Sequence, residues 1–359
     1  MKKKFLLMIT VVLIMALLAG CAGTVVVVGE CTCPTAGGNV ADTTTMPVVG
    51  DGETPLKTGL AVSTKISDSV SATADKDGAA SYDITIAAVT VDENGVIRSC
   101  KVDSVPATIS FNAAGQIVTD LSAVIDTKNE KGANYGMVAY GGAIAEWDAQ
   151  VAALCNFAVG KTVEELKNGA VSESGYAPEG TDLASSATIY LGGYVSVIEA
   201  AVNNAKFLGA IDGDELKLVT LNSIASSASA TEEKDGTAQL DANIAAVTVK
   251  EGVITSCIID AVQAKIGFDA AGAITTDLTA AVQTKNELGE GYGMKAWGGA
   301  IAEWNEQAAS FAAYVTGKTA DEVAGIAVSE GKPADADLAA SVTIAIGDFQ
   351  GLIAKAFGK

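Results

Sequence analysis

The sequence predicts an α+β protein made of two tandem copies of one unit, each an antiparallel sheet followed by helices. Three observations carry the prediction. The stretch TKNEKGANYGMVAYGGAIAEW at 127–147 recurs 157 positions later as TKNELGEGYGMKAWGGAIAEW at 284–304. Each copy is preceded by Ile/Val/Thr-rich segments joined by Gly turns, and followed by apolar residues at helical spacing. A length of 359 residues suits about two domains of roughly 150 residues each, whereas solenoid repeats run about 20–50.

Residues 1–4 are basic and 5–18 are apolar, the pattern of a signal peptide and too short for an ordinary spanning helix. The run ends in Leu18-Ala19-Gly20-Cys21, which resembles the lipobox of bacterial lipoproteins. That resemblance implies cleavage before Cys21, lipid on its thiol and amine, and a mature protein anchored to the outer face of the cell membrane. Residues 22–57 mix Gly, Thr, Val and Pro without a period and read as a flexible tether. Within them, Cys31 and Cys33 leave a redox pair, a metal pair, a second acylation site and plain tether all open.

In the first unit, residues 82–91 are strand-like, 92–95 make a hairpin turn, and 96–103 and 107–111 continue the sheet. Residues 243–249, 253–260 and 264–268 play these parts in the second unit. Helical spacing covers 142–157 and 299–315, then 163–168 and 320–324 behind the N-caps Thr162 and Thr319. A small-residue loop, a short apolar segment (189–191, 344–346) and an amphipathic helix end each unit. Cys100, Cys155 and Cys257 read as buried small hydrophobes rather than a disulfide framework.

Composition narrows the chemistry. The formal charge is −20, which argues against nucleic acid, whose phosphates demand a basic patch. With no histidine in the chain, a Ser-His-Asp triad, a Cys-His pair and a His-ligated zinc or haem are all excluded. Aromatics are only 5% of residues, so their gathering at 135–147 and 292–304 draws notice. Tyr135, Gly136, Met137, Tyr140 and Trp147, and in the second copy Tyr292, Gly293, Met294, Trp297 and Trp304, offer apolar faces and close backbone approach. Lys128 and Lys285 offer positive charge; the ordinary reading makes the aromatics core and the lysines solvated. Glu146 and Glu303 read as orienting the helix that follows.

DLASSAT at 182–188 and DLAASVT at 337–343 place small residues between an aspartate and a threonine, ahead of a new helix. From the residues alone, an Asp-capped turn entering a buried strand accounts for them. They also resemble the attachment signature of FMN-binding domains, Asp-x-x-Ser/Thr-Gly/Ser-Ala-Ser/Thr, found in subunits of sodium-pumping quinone reductases. The resemblance implies a phosphoester from FMN to Thr188, with Asp182 and Ser186 in the signature, and to Thr343, with Asp337 and Ser341. The second copy departs from it, with Ala340 at the hydroxyl position and Val342 for the usual alanine.

The Gly-turn hairpin, the TK-x-E segment ending in YGM and the Trp-bearing helix, with the lipobox, are together similar to tandem flavin-bearing lipoproteins of Gram-positive extracellular electron transfer. That likeness covers nearly all of 58–359. It implies a signal peptide over 1–20, lipidated Cys21 and tether over 21–57, and FMN-binding-like domains over 58–205 and 206–359. It also implies an electron carrier rather than a self-contained enzyme. Its partners would be a flavin transferase with FAD as donor, a membrane NADH dehydrogenase and quinone, and extracellular acceptors such as ferric iron. A tandem adhesion or ligand-binding lipoprotein is the alternative.

Overall fold

The computed structural model describes Met46, Pro47, Gly50 and residues 52–359. Cys21, Cys31, Cys33 and the leader lie outside the described residues, as does most of the tether. The first repeat forms β1 (Pro55–Lys65), β2 (Gly78–Val91) and β3 (Ile97–Phe111), all antiparallel. There follow α1 (Lys128–Lys131), α2 (Met137–Gly141), α3 (Trp147–Ala158), α4 (Val163–Ala170), α5 (Asp182–Ser186) and α6 (Gly192–Asn203). Strand β4 (Lys206–Ile211) then pairs with β1, giving the order β3-β2-β1-β4.

The second repeat lays down β5 (Glu215–Ser223), β6 (Gly236–Lys250) and β7 (Val253–Phe268) in the order β5-β6-β7. Its helices are α7 (Lys285–Leu288), α8 (Met294–Gly298), α9 (Trp304–Val315), α10 (Ala320–Ala324), α11 (Ala336–Ala339) and α12 (Gly347–Ala356). A small hairpin, β8 (Val328–Ser329) with β9 (Lys332–Pro333), is inserted between α10 and α11. The α+β architecture with antiparallel sheets is thus as the sequence predicts.

The segment IAAVTV, common to β2 and β6, explains how the layers stack. In β2, Ile84, Ile86 and Ala88 face one core while Ala87, Val89 and Val91 face another. In β6, Ala242, Ile244 and Ala246 join the first of these cores, and Ala245 and Val247 join a third. A strand covered on both faces needs apolar residues at every position, which is why alternation fades there. The shared core lies between the two sheets, and the helices of each repeat cover the outer faces. Alanines at 80, 88, 107, 238, 242, 246 and 264 line the shared core, their small side chains suiting close approach of the sheets.

The contact between repeats is reciprocal. Phe111 and Phe268, equivalent residues, stack with centroids 4.1 Å apart and planes 3° from parallel. Ala72 N–H donates to Gly272 O at 2.8 Å, and Ala230 N–H donates to Gly115 O at 2.7 Å. Ile117 N–H meets Ser229 Oγ, and Ile274 N–H meets Ser71 Oγ, both at 3.0 Å. Gly115 and Gly272 have φ of +64° and +71°, and a Cβ on either would come within 2.7 Å of an alanine from the other repeat. Only glycine satisfies both the left-handed turn and the close approach.

Several boundaries differ from the sequence reading. β3 is one strand of 15 residues rather than two segments. β1 begins at Pro55, so the last three residues read as tether are strand. α3 and α9 begin at Trp147 and Trp304, not at the glycines before them, because Gly142 and Gly299 hold φ of +63° and +62° and end the preceding short helix. Residues 189–191 and 344–346 form no strand. β4, at the start of the second sequence unit, completes the sheet of the first.

Candidate functional site

The repeated stretch first builds a clamp. Thr127 caps α1: its N–H donates to Glu130 Oε2 at 2.8 Å, and its Oγ1 accepts from Glu130 N–H at 3.1 Å. Thr284 and Glu287 repeat the pair at the same distances. Each reciprocal pair satisfies donors that a helix start leaves open. Asn129 Nδ2 donates to Val102 O on β3 at 3.0 Å, and Asn286 Nδ2 to Ile259 O on β7 at 2.9 Å. The buried carboxylates of Asp103 and Asp260 receive the backbone N–H groups of Asn129 and Asn286 at 3.2 and 3.1 Å. Burial pushes both carboxyls up, Asp260 to about 6, against the hydrogen bonds that favour the anion.

The lysine between them points into an aromatic box. Lys128 Nζ lies 5.6 Å from the Tyr135 ring centroid and 5.3 Å from that of Trp147, and 3.3 Å from Asp83 Oδ2. Burial is the largest single influence and opposes its charge, but Asp83, Tyr194 and Tyr135 together outweigh it and the pKa is raised. Lys285 Nζ lies 5.0 Å from Tyr292 and 4.9 Å from Trp304 and has no ion pair among the described residues. The equivalent Asp241 is instead held by Gln239 Nε2 at 2.7 and 2.8 Å and by Gln263 Nε2 at 3.2 Å. Burial leaves Lys285 below its ordinary pKa. Trp147 Nε1–H donates to Tyr194 OH at 2.9 Å, and Phe349 takes the place of Tyr194 beside Trp304.

These boxes are largely interior. Trp147 and Trp304 are 3% and 6% exposed, and Met137, Met294, Tyr135 and Tyr292 pack as half-buried residues against the same cores. Within the repeated stretch, the aromatics left facing outward are Tyr140 and Trp297, at 93% and 90% exposed. Each sits on a five-residue helix whose first two amides are held by one carboxylate. Glu146 accepts Met137 and Val138 N–H at 2.9 and 3.1 Å, and Glu303 accepts Met294 and Lys295 N–H at 2.8 and 3.0 Å. Gly136 and Gly293, with φ of +83° and +81°, let each ring fold back on the helix start. A Cβ there would come within 2.6 Å of Tyr140 Cδ2 or 2.3 Å of Trp297 Cδ1. At Gly141, Gly142, Gly298 and Gly299 a Cβ would meet nothing within 4 Å, so open space borders these exposed rings.

The DLA segments are short helices rather than Asp-capped turns. Thr181 caps α5 and Asp335 caps α11, leaving Asp182 and Asp337 exposed in the first turn. Ser186 Oγ donates to Asp182 O at 3.1 Å and Ser341 Oγ to Leu338 O at 3.3 Å. Beyond each helix the threonine is held by a buried glutamine. Gln150 Oε1 accepts Thr188 N–H at 2.8 Å, Thr188 Oγ1–H at 3.3 Å and Ile189 N–H at 3.2 Å. Gln307 Oε1 accepts Thr343 N–H at 2.7 Å and Thr343 Oγ1–H at 3.3 Å. Each glutamine also donates to the loop before its helix, Gln150 Nε2 to Ala145 O at 2.8 Å and Gln307 Nε2 to Ala302 O at 2.9 Å.

Two groups of singled-out residues therefore come together in each repeat. Lysine, tyrosine and tryptophan form the box, and the threonine hangs three residues further along the helix that the tryptophan begins. Asp182 and Asp337 join neither group by a side-chain bond among the described residues. Thr188 is exposed and Thr343 half-buried. The side chain that Thr188 bonds is an amide, which accepts a hydrogen bond without removing a proton, so this threonine has no built-in base.

Gln150 and Gln307 escape the sequence reading, yet a signal exists. Both lie three residues after the repeated tryptophan, where the residues between differ (Asp148 and Ala149 against Asn305 and Glu306). Among the described residues, no helix is long and apolar enough to cross a membrane and no cluster of His, Cys, Asp or Glu fits a metal ion. No protein-family model, curated protein or solved structure matches this chain.

Proposed function

We propose that this protein is a lipid-anchored, extracytoplasmic electron carrier with FMN joined by phosphoester bonds to Thr188 and Thr343. The observation that carries the reading is the doubled acceptor. Two threonines at the ends of equivalent segments hang from equivalent buried glutamines, each beside a glycine-rich loop that presents an outward aromatic ring. The residues fit the group. Thr188 is an exposed residue, the space beside Gly141 and Gly142 is open, and Tyr140 offers a ring face; in the second copy Gly298, Gly299 and Trp297 repeat this around a half-buried Thr343.

Bound FMN supplies one- or two-electron transfer at either site. The chain's own part is to present the hydroxyl, to offer an apolar face for a planar ring, and to fix the loop around it. With only an amide on the Thr188 hydroxyl, attachment falls to a separate flavin transferase that uses FAD. Reducing equivalents would arrive from a membrane NADH dehydrogenase through quinone and leave to ferric iron or another extracellular acceptor. Covalent attachment suits that setting, where a dissociating flavin is lost by dilution. Cys21 would carry the lipid.

Intact mass tests the reading. Protein co-expressed with a flavin transferase and supplied with FAD and magnesium should gain two FMN increments and stay yellow after unfolding. Thr188→Ala and Thr343→Ala should each remove one. Protein that remains colourless after this treatment would end the proposal.

A further inference from the structure

We infer that Gln150 and Gln307 are positioning residues for flavin attachment, each holding its threonine hydroxyl in the one rotamer that offers the oxygen to the incoming phosphate. The inference rests on the flavin reading given above and adds to it the residues that make the acceptor competent.

A buried glutamine has to find partners for all its polar atoms or it costs stability. Gln150 and Gln307 are both fully buried, and their oxygens are spent on the threonine rather than on the helices that carry them. For backbone anchoring, the bond to the Thr188 amide at 2.8 Å would be enough. The same oxygen also takes the hydroxyl proton at 3.3 Å, and this second bond repeats at 3.3 Å in the other copy. It fixes where that proton points, so the lone pairs of Oγ1 are left facing away from the glutamine.

A β-branched side chain has few χ1 states to choose from, so one hydrogen bond is enough to select one. The glutamine is fixed in turn by its donation to Ala145 O or Ala302 O. That carbonyl belongs to the loop joining the exposed aromatic helix to the tryptophan helix. Acceptor hydroxyl and aromatic loop are thus held by opposite ends of one side chain.

The chemistry this serves is a phosphoryl transfer. The hydroxyl oxygen attacks the flavin-side phosphorus of FAD and a new P–O bond forms. The pyrophosphate P–O bond breaks and AMP leaves with its electron pair, while the hydroxyl proton leaves the glutamine oxygen as the new bond forms and passes to a base of the transferase. Since glutamine is no base, its contribution is orientation, and misplacement by about 1 Å costs such reactions up to roughly a hundredfold.

The test uses the full chain as substrate for the transferase, with FAD and magnesium, and follows FMN at each threonine by peptide mass. Gln150→Met keeps the length and removes the hydrogen bonds; Gln150→Glu keeps the acceptor. In Gln150→Met, kcat for attachment at Thr188 should fall on the order of tenfold to a hundredfold with KM unchanged. Thr343 in the same molecule should load at its normal rate and serve as an internal reference. Gln150→Glu, which keeps the acceptor but gives up the donation to Ala145 O, should recover part of the loss, and Gln307→Met should give the mirror image. Thr188 loading at the wild-type rate in Gln150→Met would overturn the inference while leaving the flavin reading intact. A fall at both threonines together, with no recovery in Gln150→Glu, would reduce the glutamine to a folding role and overturn it too. Wild-type protein that takes no FMN at all would overturn both readings.

Discussion

The buried Asp260 makes a stability prediction that can be worked through. Its carboxylate accepts Ala261 N–H at 2.7 Å and Asn286 N–H at 3.1 Å, yet burial dominates and its pKa rises from 3.8 to about 6. A raised folded-state pKa means that the folded protein holds this proton over a range where the unfolded chain has lost it. Stability from the group is therefore fully present below pH 3.8 and is lost as pH rises through 6. The two values imply a penalty of about 1 kcal/mol at pH 4.8 and about 3 kcal/mol at pH 7.5. Asp260→Asn keeps an oxygen for both amides and carries no charge at either pH. Relative to wild type, the variant should gain roughly 2 kcal/mol between these pH values. Urea unfolding of both proteins at pH 4.8, 6.0 and 7.5 measures the difference; this range stays above the isoelectric point of about 4.3, where solubility falls. A wild-type-minus-variant difference that is flat across the range would refute the argument, because no other group changes between the two chains. Asp103→Asn should respond with the same sign, since burial raises that carboxyl as well.

The stacked pair at the repeat contact and the two box lysines give the remaining tests. Phe111→Ala or Phe268→Ala should each cost about 3–5 kcal/mol in denaturant unfolding. The double variant should cost less than the sum by about 1 kcal/mol, because the second truncation removes a ring whose stacking partner is already gone. Lys128→Met should destabilise more than Lys285→Met, by about 1 kcal/mol, since Lys128 loses an ion pair to the half-exposed Asp83 while Lys285 has none among the described residues. Equal costs for the two lysines would show that the Asp83 contact contributes nothing measurable.

Much of each unit is legible in the sequence because it depends on local rules. Thr162 and Thr319 cap α4 and α10 through their hydroxyls, as a threonine ahead of a Glu-containing turn suggests. Asp92 and Gly95 close the β2–β3 turn, with Asp92 Oδ1 accepting Asn94 N–H at 2.9 Å. What stays hidden is non-local. Asp-Gly steps at 51–52 and 212–213 precede β1 and β5, but the strands they pair with, β2 and β6, are not written there. The helix onset at Trp147 depends on Glu146 turning back to hold the amides of α2, a contact that helical periodicity cannot reveal. The candidate site divides in the same way. The threonines and the aromatic stretch stand out as repeats, whereas Gln150 and Gln307 become visible only when the chain folds over them. Lysine charge suggests a solvated residue, but Lys128 is buried because two rings and an aspartate gather around it from separate elements.

The reciprocal contact between the repeats has a consequence for inheritance. Two separate copies of one unit would make this same contact with each other as a symmetric dimer, giving and receiving identical bonds. Joined in one chain, the copies meet at an effective concentration set by their connection, and dilution no longer parts them. Fusion also frees each copy from having to match itself. Leu240 can stand where Tyr82 does, Phe349 where Tyr194 does, and Asp241 can abandon the lysine that Asp83 keeps. One gene can thus carry two versions of a site that a homodimer would be obliged to keep alike.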